Sequence, residues 1–405
     1  MNLYTPRKTV SFWKKPVPFF EAVGLLIILS IILTTVVLII SSRISHIALD
    51  VSANISNTKI PPHEKRHRYS PEEKWQFRPR PLSVQKMKTQ GCVTDGFLSS
   101  YGKKYADDLV ELIKRSECYY LHRALETWLV PPDFYFAKEM MQKIDRPNIV
   151  YGMFIAEALN EKAKYYNEDE ERYFDFRKMC RKGSTGAWGF RTCKPSFEKE
   201  EYRSYLRYIT RKAMDIGIQS FLFGQIFLQE SNGPDSITPE IVKEMRDYAK
   251  EKNLQIFIGA QTNNIISENY LKIFDYIEGG VGIDSEGHIE DGPCLSKRGS
   301  CWALLWHENF ASKANNVFLH LDWSGIKSDD MDIFARMDAE TRAKTLENLY
   351  KYFTEKNMAF LMPYFAVLDK TNNGCYGPKK SFYSPDMRYS CRDEKAINKI
   401  LKSKP

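Results

Sequence analysis

The chain has 405 residues, enough to bury a large core, with aromatics at 13% and charged residues at 27%. Its net charge of +8 sits in the amino-terminal stretch: residues 1–88 hold 14 of the 59 Lys and Arg but 5 of the 51 Asp and Glu, leaving 45 against 46 beyond. A body this close to neutral lacks the basic face that a nucleic-acid groove needs, so no nucleic-acid partner is expected.

Residues 1–21 read as a short cytoplasmic tail. Ala22–Ser42 follows with 21 residues free of charge, long enough to cross a bilayer as a helix. Arg7, Lys8, Lys14 and Lys15 precede it, and only Arg43 follows closely, so the positive-inside rule keeps the amino terminus in the cytoplasm and exports the rest. A cleaved signal peptide is the rival, but its apolar region is expected to be shorter. The segment is therefore read as a transmembrane signal anchor of a single-pass type II membrane protein, its main domain lumenal, periplasmic or extracellular. All eight cysteines lie on the exported side, which suits an oxidising compartment. Neighbour pairing, 92–118, 180–193, 294–301 and 375–391, would close four short loops. No C-x2-C occurs and the histidines are scattered, so no metal is expected.

Residues 43–90 are basic and punctuated by prolines, as a stem is, with a sequon at Asn54-Ile55-Ser56. Residues 91–146 read as short helices, Tyr101–Ser116 and Tyr119–Leu129 among them, forming a helical cap. From 147 to 405, strands and helices alternate. Strands are expected at Asn148–Ala156, Ile218–Gln225, Leu254–Ala260, Tyr276–Val281, Asn316–Asp322 and Ala359–Phe365. Between them lie helices at Glu198–Asp215, at Thr238-Pro239 onward to Lys252, and at Asp338–Asn357. Strands apolar on both faces, joined by helices, imply a parallel sheet. The fold class is α/β, and a (β/α)8 barrel is favoured over an open doubly wound sheet. Six strands are visible where eight are needed; the missing two are sought near Leu82–Val84, in residues 165–197, or in the carboxy-terminal loop. No G-x-G-x-x-G and no Walker sequence is present, so no cofactor is expected.

Assigning faces by period two puts Phe221, Phe223 and Gln225 together, and likewise Phe257, Gly259 and Gln261; Tyr276 and Glu278; Phe318, His320 and Asp322; Phe360, Met362 and Tyr364. In these sets a filler is followed by a hydrogen-bonding group toward the carboxyl end, where barrels carry their chemistry. Glu157 and Glu230 add acids at the rim. The candidate catalytic residues are therefore Asp322, Glu278, Glu157 and Glu230, with Gln225, Gln261, Asn263, His320, Trp323, Tyr364 and Trp188 as candidate glycan-binding residues. Each acid has a plainer reading: a turn for Asp322 and Glu230, a buried ion pair for Glu278, a helix start for Glu157.

Paired acids, carboxamides and aromatics without a cofactor motif suit glycosidic bond cleavage, which needs one protonated acid and one carboxylate. On these residues the chain resembles (β/α)8 glycoside hydrolases over roughly residues 147–366. No family motif is matched, and the resemblance carries over no residue roles. Two alternatives stay open. A type II membrane glycosyltransferase would use Asp330-Met331-Asp332 to hold a metal and a nucleotide sugar, and an inactive barrel would bind glycans without turnover.

Overall fold

The structure, a computed structural model, describes residues 81–230, 236–263, 265–290, 305–321, 329–368 and 373–403. The chain divides into two units, Met1–Trp75 and Gln76–Pro405, and the described residues belong to the second. The expected tail, the anchor at Ala22–Ser42 and the stem as far as residue 80 lie outside the described residues. Among the described residues no helix is long and apolar enough to cross a membrane.

Seven strands pair side by side in chain order, all parallel: β1 (Gly91–Thr94), β2 (Tyr120–Glu126), β3 (Val150–Ile155), β4 (Ile218–Phe223), β5 (Phe257–Ala260), β6 (Tyr276–Val281) and β7 (Val317–Leu321). The next stretch returns the ladder to its start. β8 (Ala359–Phe360) pairs with β7, and β9 (Met362–Val367) pairs with β1, again in parallel. Leu361 between them donates its N–H to the Leu319 carbonyl at 2.8 Å, so 359–367 works as one eighth strand. The expected (β/α)-barrel architecture is therefore present.

Its boundary differs from expectation. The two strands not found in the sequence are β1 and β2, inside residues 91–146, which are not a helical cap. The carboxy-terminal loop adds only a short antiparallel strand, β10 (Phe382–Tyr383), against β9. Val84–Thr89 is a helix, α1, and the expected helix Tyr119–Leu129 is strand β2. The sequence Tyr-Leu-His-Arg-Ala-Leu-Glu looks helical because leucine, alanine and an Arg123–Glu126 pair at i,i+3 are what an exposed helix carries. In the fold the stretch is buried almost throughout, and its irregularity has a cause: from Leu121 to Leu125, β2 spends four steps against two of β3. Arg123 takes φ +55° inside this bulge, a conformation that side chains other than glycine adopt seldom.

Helices α2 (Ala106–Lys114), α3 (Phe134–Ile144), α4 (Glu200–Asp215), α5 (Thr238–Glu251), α6 (Glu268–Leu271), α7 (Glu308–Ala311), α8 (Asp330–Arg336), α9 (Ala339–Glu355) and α10 (Glu394–Lys402) complete the units. Three of them start where side chains dictate: Asp133, Asp329 and Asp338 accept N–H bonds as caps of α3, α8 and α9. α4 buries Tyr202, Tyr205, Leu206, Ile209 and Ala213, and each large apolar side chain so covered contributes about 1.5–3 kcal/mol before entropy is charged against it. Disulfides join Cys92 to Cys118, Cys180 to Cys193 and Cys375 to Cys391, as neighbour pairing anticipates. The fourth expected pair, 294–301, lies outside the described residues.

The barrel interior is read from contacts across it. Tyr120, Phe257, Tyr276 and Phe318 meet ring to ring, and Tyr120 Oη lies 2.8 Å from Ser220 Oγ. The faces assigned to β5, β6 and β7 are thus correct as far as Phe257 and Gly259, Tyr276 and Glu278, and Phe318 and His320. Those of β4 and the eighth strand are reversed. Ser220 points inward, so Phe223 faces out against Phe197, which stacks on Tyr202 of α4. Phe360 stacks on Phe353 of α9, and Tyr364 Oη donates to Asn398 Oδ1 of α10 at 3.3 Å. Tyr364 therefore belongs to the helix-facing side and not to the pocket. β4 carries one polar residue on each face, Gln219 and Ser220, and the eighth strand is largely apolar on both, so no polar contrast marks which side turns inward.

Candidate active site

The carboxyl ends of β1 to β5 present a connected polar set. Asp95 follows β1, Glu126 ends β2, Glu157 lies two residues beyond β3, Gln225 two beyond β4, and Gln261 directly after β5. The β2 bulge supplies the organiser. His122 and Arg123 are consecutive, yet both turn toward the interior, His122 to Glu278 and Arg123 over the Phe154 ring at 4.0 Å. A regular strand would send one of them outward. Arg123 Nε donates to Glu126 Oε1 at 2.6 Å, and its guanidinium stands 3.8 Å from Asp95. Burial disfavours the guanidinium charge, but Glu126, Asp95 and Glu278 outweigh it and hold Arg123 protonated. Burial and the neighbouring Glu126 charge raise Asp95 well above the usual carboxylate range, against the pull of Arg123.

Glu157 is the acid whose environment sets it apart. It is 1% exposed, and burial pushes its carboxyl up to about 7, opposed by its own backbone N–H, by Arg123 and by a hydrogen bond from Gln225. Gln225 Nε2 donates to Oε1 at 2.6 Å, while Oε2 has no partner. The carboxamide reaches Glu157 although β4 runs in the opposite phase, because Gln225 takes φ +25° and turns the chain at the strand end. Its N–H is held by Gln261 Oε1 at 3.0 Å. Gly224 is required beside it: a Cβ there would overlap Glu157 Oε2 and the Phe154 ring.

An aromatic wall flanks this acid. Trp188 Nε1 donates to the Glu157 carbonyl at 3.2 Å, and Trp128 packs on Trp188 at 5.4 Å. Both indoles are partly exposed. The disulfide Cys180–Cys193 closes the loop that carries Trp188.

Glu278 and His320 lie elsewhere. Glu278 is the third residue of β6, wholly buried beneath the mouth, with both His122 Nε2 at 3.3 Å and His320 Nε2 on its Oε1. Burial opposes its charge, but the His320 charge and hydrogen bonds from both imidazoles outweigh that and hold the carboxyl below the usual range. His122, equally buried, is pushed down to about 4 chiefly by desolvation. Its Nδ1 meets Tyr120 Oη at 2.7 Å.

Glu230 is a helix-start residue, not a mouth acid. Ser236 Oγ, Thr238 N–H, Thr238 Oγ1 and Tyr270 Oη all donate to it, at 2.5, 3.0, 2.6 and 2.6 Å. Those donors overcome burial and keep it ionised, which suits fastening the start of α5. Asn263, at φ +48°, has a buried Oδ1 without a partner beside Gln261. Asp322 and Trp323 lie outside the described residues. In Asp330-Met331-Asp332 the acids form the first turn of α8: Asp330 accepts the Ile283 N–H, and Asp332 meets Asn373 and Arg336.

Sequence reasoning brings Glu157, Gln225, Gln261 and Trp188 to one place and misses Asp95, His122, Arg123, Glu126 and Trp128. All five fall in the segment read as a cap. The available signal was Cys92, whose expected bond to Cys118 ties the starts of two adjacent strands together.

No protein-family model matches the chain, and no curated protein does. Among solved structures, a GH113 β-1,4-mannanase superposes with a TM-score of 0.46 at 12% identity, over 78% of this chain and 99% of that one. A debranching enzyme from Nostoc punctiforme gives 0.42 at 10%, over 75% and 70%. Trehalose-6-phosphate hydrolase from Bacillus licheniformis gives 0.39 at 11%, over 68% and 64%. At such scores the chemistry of this chain is left to its own residues.

Proposed function

We propose that the chain is a glycoside hydrolase whose general acid is Glu157. One observation carries the reading: a carboxyl poised at about 7 at the carboxyl end of a barrel strand, with one oxygen unpartnered and two indoles beside it. A group so poised is about half protonated at neutral pH, as a general acid that must later act as a base needs, and it has an oxygen without a partner to give a proton to a leaving glycosidic oxygen. Trp128 and Trp188 suit stacking on the apolar face of a sugar ring, and Gln225, Gln261 and Asn263 suit its hydroxyls.

The second carboxylate is assigned to Asp322, the residue after β7. Glu126 is paired with Arg123, Asp95 accepts the Val367 N–H, Glu278 is buried beneath the mouth, and Glu230 is enclosed by its own donors. The exported, membrane-anchored location belongs to the same reading. It rests on the uncharged run Ala22–Ser42 and on the cysteines beyond it.

The experiment is release of reducing sugar from a panel of plant and microbial polysaccharides, with aryl glycosides alongside. Glu157→Gln is expected to lower kcat on the natural glycan by about 10²–10⁴-fold and to spare aryl glycosides whose leaving group needs no proton. Asp322→Asn is expected to lower both. Glycan binding with no turnover in the wild type would mean a binding barrel, and turnover only with a nucleotide sugar would mean a transferase.

A further inference from the structure

We infer that His122, Glu278 and His320 form a binding site for one divalent transition-metal ion of the zinc type, inside the barrel beneath the mouth. Each residue offers one ligand atom, and the three atoms lie within 4.8 Å of one another. Metal–ligand bonds of ~2.0–2.2 Å in tetrahedral geometry set ligand atoms ~3.3 Å apart, which the 3.3 Å from His122 Nε2 to Glu278 Oε1 matches; His320 Nε2, hydrogen-bonded to the same oxygen, draws back from it as an ion enters. Two imidazoles and one glutamate are a donor set that zinc favours, leaving a fourth position.

Two further features point to a ligand. Glu278 Oε2 is buried with no partner, although its side chain is 0% exposed, so the carboxylate has an oxygen to offer as a second donor. The far nitrogens of both rings are held: His320 Nδ1 donates to the Leu321 carbonyl at 2.8 Å, and His122 Nδ1 meets Tyr120 Oη at 2.7 Å, itself 2.8 Å from Ser220 Oγ. Such outer partners fix ring orientation and leave Nε2 facing the metal.

The residues come from β2, β6 and β7, 156 and 42 positions apart, which is why spacing alone led to the expectation of no metal. The inference stands independently of the glycosidase reading, because it concerns the layer below the mouth and is read by metal content rather than turnover.

The test uses the full chain in detergent, stripped with dipicolinate and titrated with Co2+. One equivalent is expected to bind with the visible d–d bands of a four-coordinate ion and to be displaced by Zn2+. Glu278→Gln and His320→Ala are each expected to weaken Co2+ binding by ~10²-fold or more, and Tyr120→Phe by ~10-fold, with far-ultraviolet circular dichroism unchanged. Absence of one-equivalent binding in folded wild-type protein overturns the proposal, as does an unchanged titration in both folded ligand variants. The wild-type titration decides alone if those variants do not fold.

Discussion

Replacing Glu157 with glutamine removes the group whose titration the site is built around, and the effect on stability can be worked through. The native carboxyl is raised to about 7 from an ordinary 4.5, with burial as the largest cause. Between those values the native state keeps a proton that the unfolded chain has released, so stability falls as pH rises from 4.5 through 7. The interval of 2.5 pH units, at about 1.36 kcal/mol each, makes that loss about 3 kcal/mol. Glutamine can still accept from Gln225 but cannot ionise, so the variant escapes this loss. Urea unfolding followed by tryptophan fluorescence, from pH 4.5 to 8.5, gives the two stability curves. His122 and Asp95 titrate in both proteins and cancel in the difference. The expected difference grows by about 3 kcal/mol in favour of the variant as pH rises. Parallel curves, within about 0.5 kcal/mol, would refute the claim that Glu157 is held protonated, and the proposed acid role would go with it.

Gly224→Ala should destabilise by about 1–3 kcal/mol and depress turnover together, because the new methyl displaces Glu157 Oε2 or Phe154; a melting temperature equal to wild type would contradict the packing. Arg123→Met removes the buried cation that Glu126 pairs with at 2.6 Å and should cost about 3–5 kcal/mol in denaturant titrations at pH 7; an unchanged urea midpoint would contradict the pairing. Replacing Cys92 and Cys118 together by serine opens a loop of 26 residues, and a loss of about 3.5 kcal/mol is expected from chain entropy, measured as a shift in urea midpoint.

The alternation from residue 147 onward was legible because each helix has a polar face and a cap, and each strand is short and apolar. β6 and β7 were readable to the correct face because Glu278 and His320 are polar side chains inside apolar runs, and a buried polar group demands a partner across the barrel. β2 was unreadable for the opposite reason. Tyr120 and His122 keep the period of two, but the bulge breaks it after them, so Arg123 and then Glu126 follow no strand pattern, and the local sequence is one a helix would accept. The side chain that the bulge turns inward, Arg123, meets Phe154 and Asp95, which arrive from other strands and leave no local signal. β1, four residues long, is too short for any periodicity to show.

Size, more than polarity, carries the lost phase information. Inside the barrel the large tyrosines face residues with almost no side chain: a Cβ on Gly259 would overlap the Tyr276 ring, and one on Gly152 would press on the Tyr120 ring, while one on Gly91 would meet Leu361. Tyr120 likewise reaches Ser220. On β4 and directly after it the small residues are Ser220 and Gly224, four apart and therefore on one face, and they are the inward ones. The rule that interior fillers are bulky put Phe221 and Phe223 inside instead. A barrel closed by eight strands has a fixed interior volume, so tyrosines on β2 and β6 oblige small residues on the strands beside them. The same constraint leaves room at Gly224 for the Glu157 carboxyl, so the complementarity that fills the barrel also shelters the proposed acid.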